Sequence, residues 1–375
     1  MSKAAELAKM GEVLTNGQIG GRRNIVINGA MQISQRATTS GTGGVGSANG
    51  VYPTLDRYEI FAGSTAGRAT MTQTADGPSG FANCLKLDCT TADTSIAAGE
   101  NFGFTQKFEG QDLQQIKKGT SDAEKITVSF YVKGNANATY QLEIKDGDNT
   151  RVNAQTFAVT TDWNRVILTF NADVDDGSSP FDDDNAASLT LFFWLHAGST
   201  YTGGTFTSNT WANQTNGNRV KSGNTSFFDS TNRTFFITGI QMEVGSQATP
   251  FEHRSFGEEL ALCRRYTYVF GTSGNANEVF QWGCANGTTT MTAINQLPTK
   301  MRARPTLTAT TSDFQVYNFV DAALKDCSGA SLITSISSED LAYIDWTCAS
   351  MTNAAFCLLR NDGTANRVCI LSAEL

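Results

Sequence analysis

Short runs of alternating apolar and polar residues recur along almost the whole chain, and no amphipathic helix of any length separates them. The runs fall at Asp56–Phe61, Cys84–Cys89, Phe102–Phe108, Lys125–Lys133, Thr139–Lys145, Asn153–Val159, Trp163–Phe170, Ser188–His196 and Arg233–Glu243. Period-two burial of this kind belongs to strands with one face on a core and one face on a polar layer. Asp146-Gly147 closes one run as a turn, and the helical signal over 110–116 is short enough to be a connector. With about ten strands in about 220 residues, the pattern predicts an all-β protein built on a jelly-roll β-sandwich. Composition agrees: 35 Gly against 6 Pro suits many tight turns, and 17% charged residues leave a surface dominated by Thr, Ser and Asn.

A chain of 375 residues is long for one sandwich, and the pattern divides it. Residues 1–23 read as an attachment segment. Leu7, Met10 and Leu14 line one stripe of a short N-terminal helix over 2–14, followed by a connector containing Gly11, Gly17, Gly20 and Gly21. A helix this short does not hold alone in water and needs a partner surface. Residues 24–254 form the jelly roll. Its first piece, Asn24–Arg36, alternates through Ile25 and Ile27 and is expected to be a strand, a turn at Asn28-Gly29 and a second short strand. Its last piece, Phe235–Arg254, is expected to close the sandwich, with Gly239 interrupting the alternation and Pro250 fixing the exit. Residues 255–266 are a short linking helix with Glu258 and Glu259 early and Arg264 late, as the helix dipole favours. Residues 267–375 form a second, smaller β-sandwich, with strands expected at 266–270, 278–284, 288–296, 306–311, 313–319, 331–337, 342–348, 353–360 and 366–373, and a hairpin turn at Asn361-Asp362-Gly363.

Several function classes fall away. The net charge is −8 and the basic residues form no block, which argues against nucleic acid and against an anionic membrane. The longest apolar run, Leu189–Leu195, is too short to cross a bilayer and reads as a core strand. The N-terminus lacks a signal-peptide run, and the eight cysteines contain no C-x-x-C pair, so folding in a cytoplasm with buried thiols is expected. Gly41–Gly46 spells a formal G-x-G-x-x-G without the flanking strand and helix that a dinucleotide site needs. No nucleophile, P-loop or metalloprotease motif occurs, and of the two histidines His196 ends a core strand as a satisfied structural residue. The chain is therefore expected not to be an enzyme, although a pair among the 36 acids would suffice for glycoside hydrolysis.

Two binding features remain. Asp173, Asp175 and Asp176 crowd one loop with Asp182–Asp184 and form a candidate calcium site; no other cofactor is indicated. In the polar loop 197–226, Tyr201 and Trp211 are candidate glycan-stacking rings, with Phe206 near them.

Taken in order, several segments resemble a family of tailed-bacteriophage structural proteins, the tail fibre or virion appendage proteins. They are Asn24-Ile25-Val26-Ile27-Asn28-Gly29-Ala30-Met31-Gln32-Ile33-Ser34-Gln35-Arg36, Thr54-Leu55-Asp56-Arg57-Tyr58, Gln106-Lys107-Phe108-Glu109-Gly110, Val128–Lys133, Trp163-Asn164-Arg165-Val166, Phe235–Arg254, Glu258–Tyr266, Pro298–Ala303 and Ser372-Ala373-Glu374-Leu375. The resemblance runs from residue 24 to 375 and implies a carbohydrate-binding-module-like jelly roll in a homotrimeric virion protein assembled in the host cytoplasm. It implies an N-terminal segment that contacts other virion proteins, β domains that recognise host-surface glycans, and no membrane insertion. Two alternatives stand beside it: a head or tail architectural protein without ligand, and a virion-associated polysaccharide depolymerase.

Overall fold

The computed structural model describes residues 3, 22–41, 43–175, 177, 179–271, 278–362 and 369–375. The helix expected over 2–14 lies outside these residues apart from Lys3, as do the connector through Gly21, Asp176 and the turn residue Gly363. The chain divides into two compact units between Phe256 and Gly257. Both are all-β.

Among the described residues of the first unit, eleven strands form two antiparallel sheets. They are β1 (Glu59–Gly63), β2 (Arg68–Thr74), β3 (Cys84–Thr91), β4 (Asn101–Glu109), β5 (Ile126–Gly134), β6 (Ala138–Asp146), β7 (Arg151–Val159), β8 (Asn164–Phe170), β9 (Ala187–Ala197), β10 (Ala212–Asn213) and β11 (Thr234–Val244). The order β1-β4-β9-β6-β7-β10 makes one sheet and β2-β3-β11-β5-β8 the other. The alternation read from the sequence sends one face of each strand inward. Phe102, Phe104, Tyr140, Leu142, Ile144, Leu191 and Phe193 from the six-stranded sheet meet Leu85, Leu87, Val128, Phe130, Val132, Phe235 and Ile237 from the five-stranded sheet. Phe104 and Phe193 stack with centroids 4.6 Å apart, and Phe130 meets Phe193 edge-on at 5.4 Å. Each fully buried ring contributes about 1.5–3 kcal/mol of transfer free energy, so this aromatic layer dominates the first core. Burial pushes the Cys84 thiol up to about 12 and the Cys89 thiol up to about 11, which keeps both protonated.

Two local expectations need correction. Residues 24–36 form no strand. Their backbone is held by side chains instead: Asn24 Oδ1 accepts from Val26 N and Met242 N, Gln106 brackets Ile27 through its N–H and C=O, and Asn28 Nδ2 donates to the carbonyls of Ile33 and Asp56. Asn28 and Met31 adopt positive φ, which no regular strand permits. Strand β2, by contrast, went unread: Ala69 and Met71 alternate with threonines in a run too polar to stand out. Val45 of the glycine-rich loop bridges Ala69 of β2, and no helix follows it.

The second unit holds β12 (Thr267–Phe270), β13 (Val279–Ala285), β14 (Thr290–Gln296), β15 (Thr306–Ala309), β16 (Phe314–Asn318), β17 (Ala323–Leu332), β18 (Leu341–Cys348), β19 (Phe356–Asn361) and β20 (Cys369–Ser372). The sandwich expected here is realised as a closed barrel, β13-β14-β18-β17-β16-β19, together with a three-stranded sheet β12-β20-β15. The strand expected at 331–337 lies earlier, as β17. Trp346, Met291, Phe314, Ile344 and Leu359 fill the core, and Trp346 Nε1–H donates to Gln281 Oε1 at 2.8 Å. The outer barrel face is uneven. Trp282, Leu358, Tyr317 and Leu324 form one cross-strand row. Phe356 and Phe319 extend it, with Trp282, Phe319 and Phe356 64%, 50% and 47% exposed. The expected linking helix is α2 (Phe256–Arg264), following the one-turn α1 (Ser199–Thr202) of the first unit.

The interruption expected at Gly239 is a bulge: the β11–β5 register shifts between Thr238 and Gln241, and Gly239 has φ +64°. A Cβ there would lie 2.7 Å from Phe81 Cζ and 2.9 Å from Tyr131 Cδ2. Gly239→Ala combines left-handed strain with a clash against two packed rings, and is expected to lower unfolding free energy by about 2–4 kcal/mol in a denaturant titration. A loss within experimental error of zero would contradict this account of the bulge.

Candidate functional site

The outward face of the six-stranded sheet supplies the site. Strand β6 is buried on both sides, and its outward residues Gln141 and Glu143 are fully buried. They are satisfied by the chain that crosses over them. Arg219 places Nε 3.0 Å from Glu143 Oε2, and its second nitrogen bonds Oε1. Gln141 accepts from Lys221 N at 2.9 Å and donates to the Arg219 carbonyl. The guanidinium also lies over Trp194, 4.8 Å from the ring centroid, and over Phe192 at 5.2 Å. The segment 219–221 is therefore clamped by charge, hydrogen bonds and aromatic faces together.

Beside this clamp lies a cavity of about 200 Å³ lined by Ile96, Trp194, Leu195, His196, Ala197, Thr202, Val220, Gly223, Asn224, Thr225 and Ser226. The end of β9 supplies one wall and the segment 220–226 the other. Two of the lining residues carry buried polar atoms without a hydrogen-bond partner, Trp194 at Nε1 and Asn224 at Nδ2 and Oδ1. They offer donors and an acceptor beside apolar walls, which is the chemistry of a pocket for a small polar molecule with an apolar face. A smaller cavity of about 60 Å³ lies against β7 and β10 and includes Phe206 and Arg219 in its lining.

The two expected stacking rings are not brought together. Tyr201 belongs to the cavity side: its ring packs on Trp194 at 5.2 Å, and Asn101 Nδ2 donates to its hydroxyl at 3.1 Å. Trp211 packs on the main core, and its indole N–H donates to the Asn171 carbonyl at 2.7 Å. In the acidic loop, Asp173 is buried and accepts two hydrogen bonds of 2.8 Å from Arg151, with Lys118 Nζ 3.9 Å away. Asp175 pairs with the same guanidinium at 2.9 Å. The charges of these two carboxylates are already balanced by cations of the protein, so calcium here would have to compete with Arg151; Asp176 lies outside the described residues. His196 is buried with both ring nitrogens partnered, Nδ1 to Ser226 Oγ at 2.8 Å and Nε2 to Glu100 Oε2 at 3.2 Å. Burial pulls it below the usual histidine range against the opposing pull of Glu100 and Asp93. Sequence reasoning missed Asn224, Trp194 and the Glu143–Arg219 clamp; the polar, aromatic-bearing loop 197–226 was the sole signal.

Among the described residues no helix is long and apolar enough to cross a membrane. No family model matches the sequence, and no curated protein matches it. Solved structures do. A CBM4 structure is 13% identical with TM-score 0.30, covering 58% of this chain and 97% of that one. A family 11 carbohydrate-binding module from Clostridium thermocellum, in complex with a β-1,3-1,4-mixed-linked tetrasaccharide, is 11% identical with TM-score 0.27, covering 52% and 91%. The enzymatically active domain of tailspike protein 4 of bacteriophage CBA120 is 13% identical with TM-score 0.27, covering 59% of this chain and 21% of that one. These likenesses are too remote to assign a ligand or an activity to this chain.

Proposed function

We propose that this protein is a glycan-recognising structural appendage of a bacteriophage particle, self-associating as a homotrimer and without catalytic function. The cavity beside the Arg219 clamp carries the glycan part of this reading. Its volume of about 200 Å³ suits one sugar ring. Trp194, Val220 and Ile96 supply apolar lining, and two lining residues, Asn224 and Trp194, carry buried polar atoms without hydrogen-bond partners. A sugar offers both kinds of group at once. The particle assignment rests on the ordered resemblance of residues 24–375 to phage appendage proteins. A shallow single-ring site binds weakly, and three copies on one trimer raise the effective affinity without a new contact.

The test is binding of host-derived oligosaccharides to the intact chain. Asn224→Ala removes both orphaned amide atoms and is expected to weaken binding about tenfold, the equivalent of about 1.4 kcal/mol. Trp211→Phe, whose ring lies on the main core, should leave it unchanged. Equal binding by wild type and Asn224→Ala would remove the cavity from consideration.

Self-association is supported by the uncharged row on the barrel. Trp282, Phe319 and Phe356 make contiguous exposed aromatic surface of a kind that soluble monomers rarely leave uncovered. Light scattering should give three times the chain mass of 40.3 kDa for wild type and a single-chain mass for the Trp282→Glu, Phe356→Glu double variant. A single-chain mass for wild type would refute the trimer.

A further inference from the structure

We propose that Asp93, Glu100 and His196 form a binding site for a divalent transition-metal ion of the zinc type. The three residues come from separate places in the chain: Asp93 follows β3, Glu100 precedes β4 and His196 lies near the end of β9. All three are buried, and one ligand atom from each lies within 4.8 Å of the other two. The inference does not depend on what the neighbouring cavity binds.

Charge is the first reason. Asp93 and Glu100 place two carboxylates in a buried spot, and no Lys or Arg is ion-paired with either among the described residues. Hydrogen bonds from Thr65 Oγ1 and Ala66 N, both 2.8 Å, hold the Asp93 carboxylate in place. Two buried carboxylates without a Lys or Arg partner call for a countercharge. A bound dication supplies it.

Geometry is the second. A four-coordinate zinc ion takes ligands at about 2.0–2.2 Å, which sets ligand atoms about 3.4 Å apart. His196 Nε2 and Glu100 Oε2 are already 3.2 Å apart, and Asp93 needs to close by no more than about 1.4 Å from the 4.8 Å limit. The supports around the ligands are those of a metal site. Thr65 and Ala66 orient Asp93, and Ser226 Oγ lies 2.8 Å from His196 Nδ1. Ser226 Oγ already accepts from Phe228 N at 3.1 Å and has a second lone pair for Nδ1–H. Metal binding at Nε2 then needs only a change of tautomer: the proton leaves Nε2, Nδ1 carries one, and the neutral ring keeps its proton count. One imidazole and two carboxylates match zinc or a neighbouring first-row ion, whereas calcium seeks six to eight oxygens. His196 and Ser226 also line the 200 Å³ cavity.

The test is metal binding by the intact chain after chelator treatment, read by calorimetry with zinc chloride and by visible absorption with cobalt(II). The expected result is one zinc ion per chain, a rise in thermal midpoint on zinc addition, and a cobalt spectrum without thiolate charge transfer, which separates this site from the cysteines. Glu100→Gln and Asp93→Asn, which keep shape and remove charge, should each weaken zinc binding by roughly 100-fold or more. The proposal is overturned by absence of zinc binding in wild type, by a cobalt spectrum with thiolate bands alone, or by unchanged affinity in both variants. The wild-type measurements decide the matter even where a variant fails to fold, and neither reports on sugar binding.

Discussion

The hydrogen-bond ladder of β11 ties the two ends of the first unit together. It lies between β3 and β5 at the centre of the five-stranded sheet, so its backbone is shared by both halves of that sheet. Beyond the ladder it reaches the start of the domain: Ile25 N donates to the Met242 carbonyl, and Ile240 N to the Gly29 carbonyl, each at 3.0 Å. The bulge at Gly239 turns the backbone so that Ile240 meets Gly29, and leaves room for Phe81, Tyr131, Phe251 and His253 to pack over the gap. Residues after the strand repeat the attachment: Glu252 accepts from Arg23 N and Asn24 N at 2.9 and 2.7 Å. A segment without strand pairing of its own, 24–29, is thus ordered by a strand more than two hundred residues away.

The six-stranded sheet manages a different problem. Its inner face needs only apolar packing, but β6 is covered on its outer face as well, with Gln141 and Glu143 fully buried there. Burying a lone carboxylate is costly, and breaking such a pair typically costs about 3–5 kcal/mol. Arg219 makes the arrangement tolerable because its planar fork meets both oxygens and its flat faces rest on Trp194 and Phe192. The consequence is positional. A loop that would otherwise be free to move is fixed on the sheet at 219–221, and the cavity wall begins at the next residues.

How much of this was legible follows from the kind of force involved. Strands such as β5 and β9 were read within a residue or two because burial of one face imposes period two on the sequence itself. β2 was missed because threonine occupies its outward positions and dilutes the contrast. The stretch 24–36 was misread because its alternation is real while its partners are the side chains of Asn24, Asn28 and Gln106, which leave no periodic trace. β17 was displaced because Lys325 and Asp326 stand in the strand while the more apolar stretch follows it. Barrel closure, and the meeting of Ile96, His196 and Asn224, depend on long-range register that no local pattern records. Tyr201 was legible as a ring in a polar loop; that Trp194 behind it would line the cavity was not, since within Leu189–Leu195 it looks like core.

The choice between an idle void and a binding pocket turns on where the unsatisfied atoms lie. A buried donor or acceptor without a partner costs about 1–3 kcal/mol. Orphaned atoms also occur at Asn153, but that residue is absent from the linings of both cavities. Trp194 and Asn224, by contrast, both line the larger cavity. Water in that cavity faces walls that also carry Ile96, Val220 and Ala197, against which it gains nothing. A molecule with hydroxyls on its rim and C–H on its faces replaces those waters and covers the apolar walls in one step, keeping the hydrogen bonds while removing hydrophobic surface from solvent. That dual demand favours a sugar ring over a purely polar or purely apolar occupant.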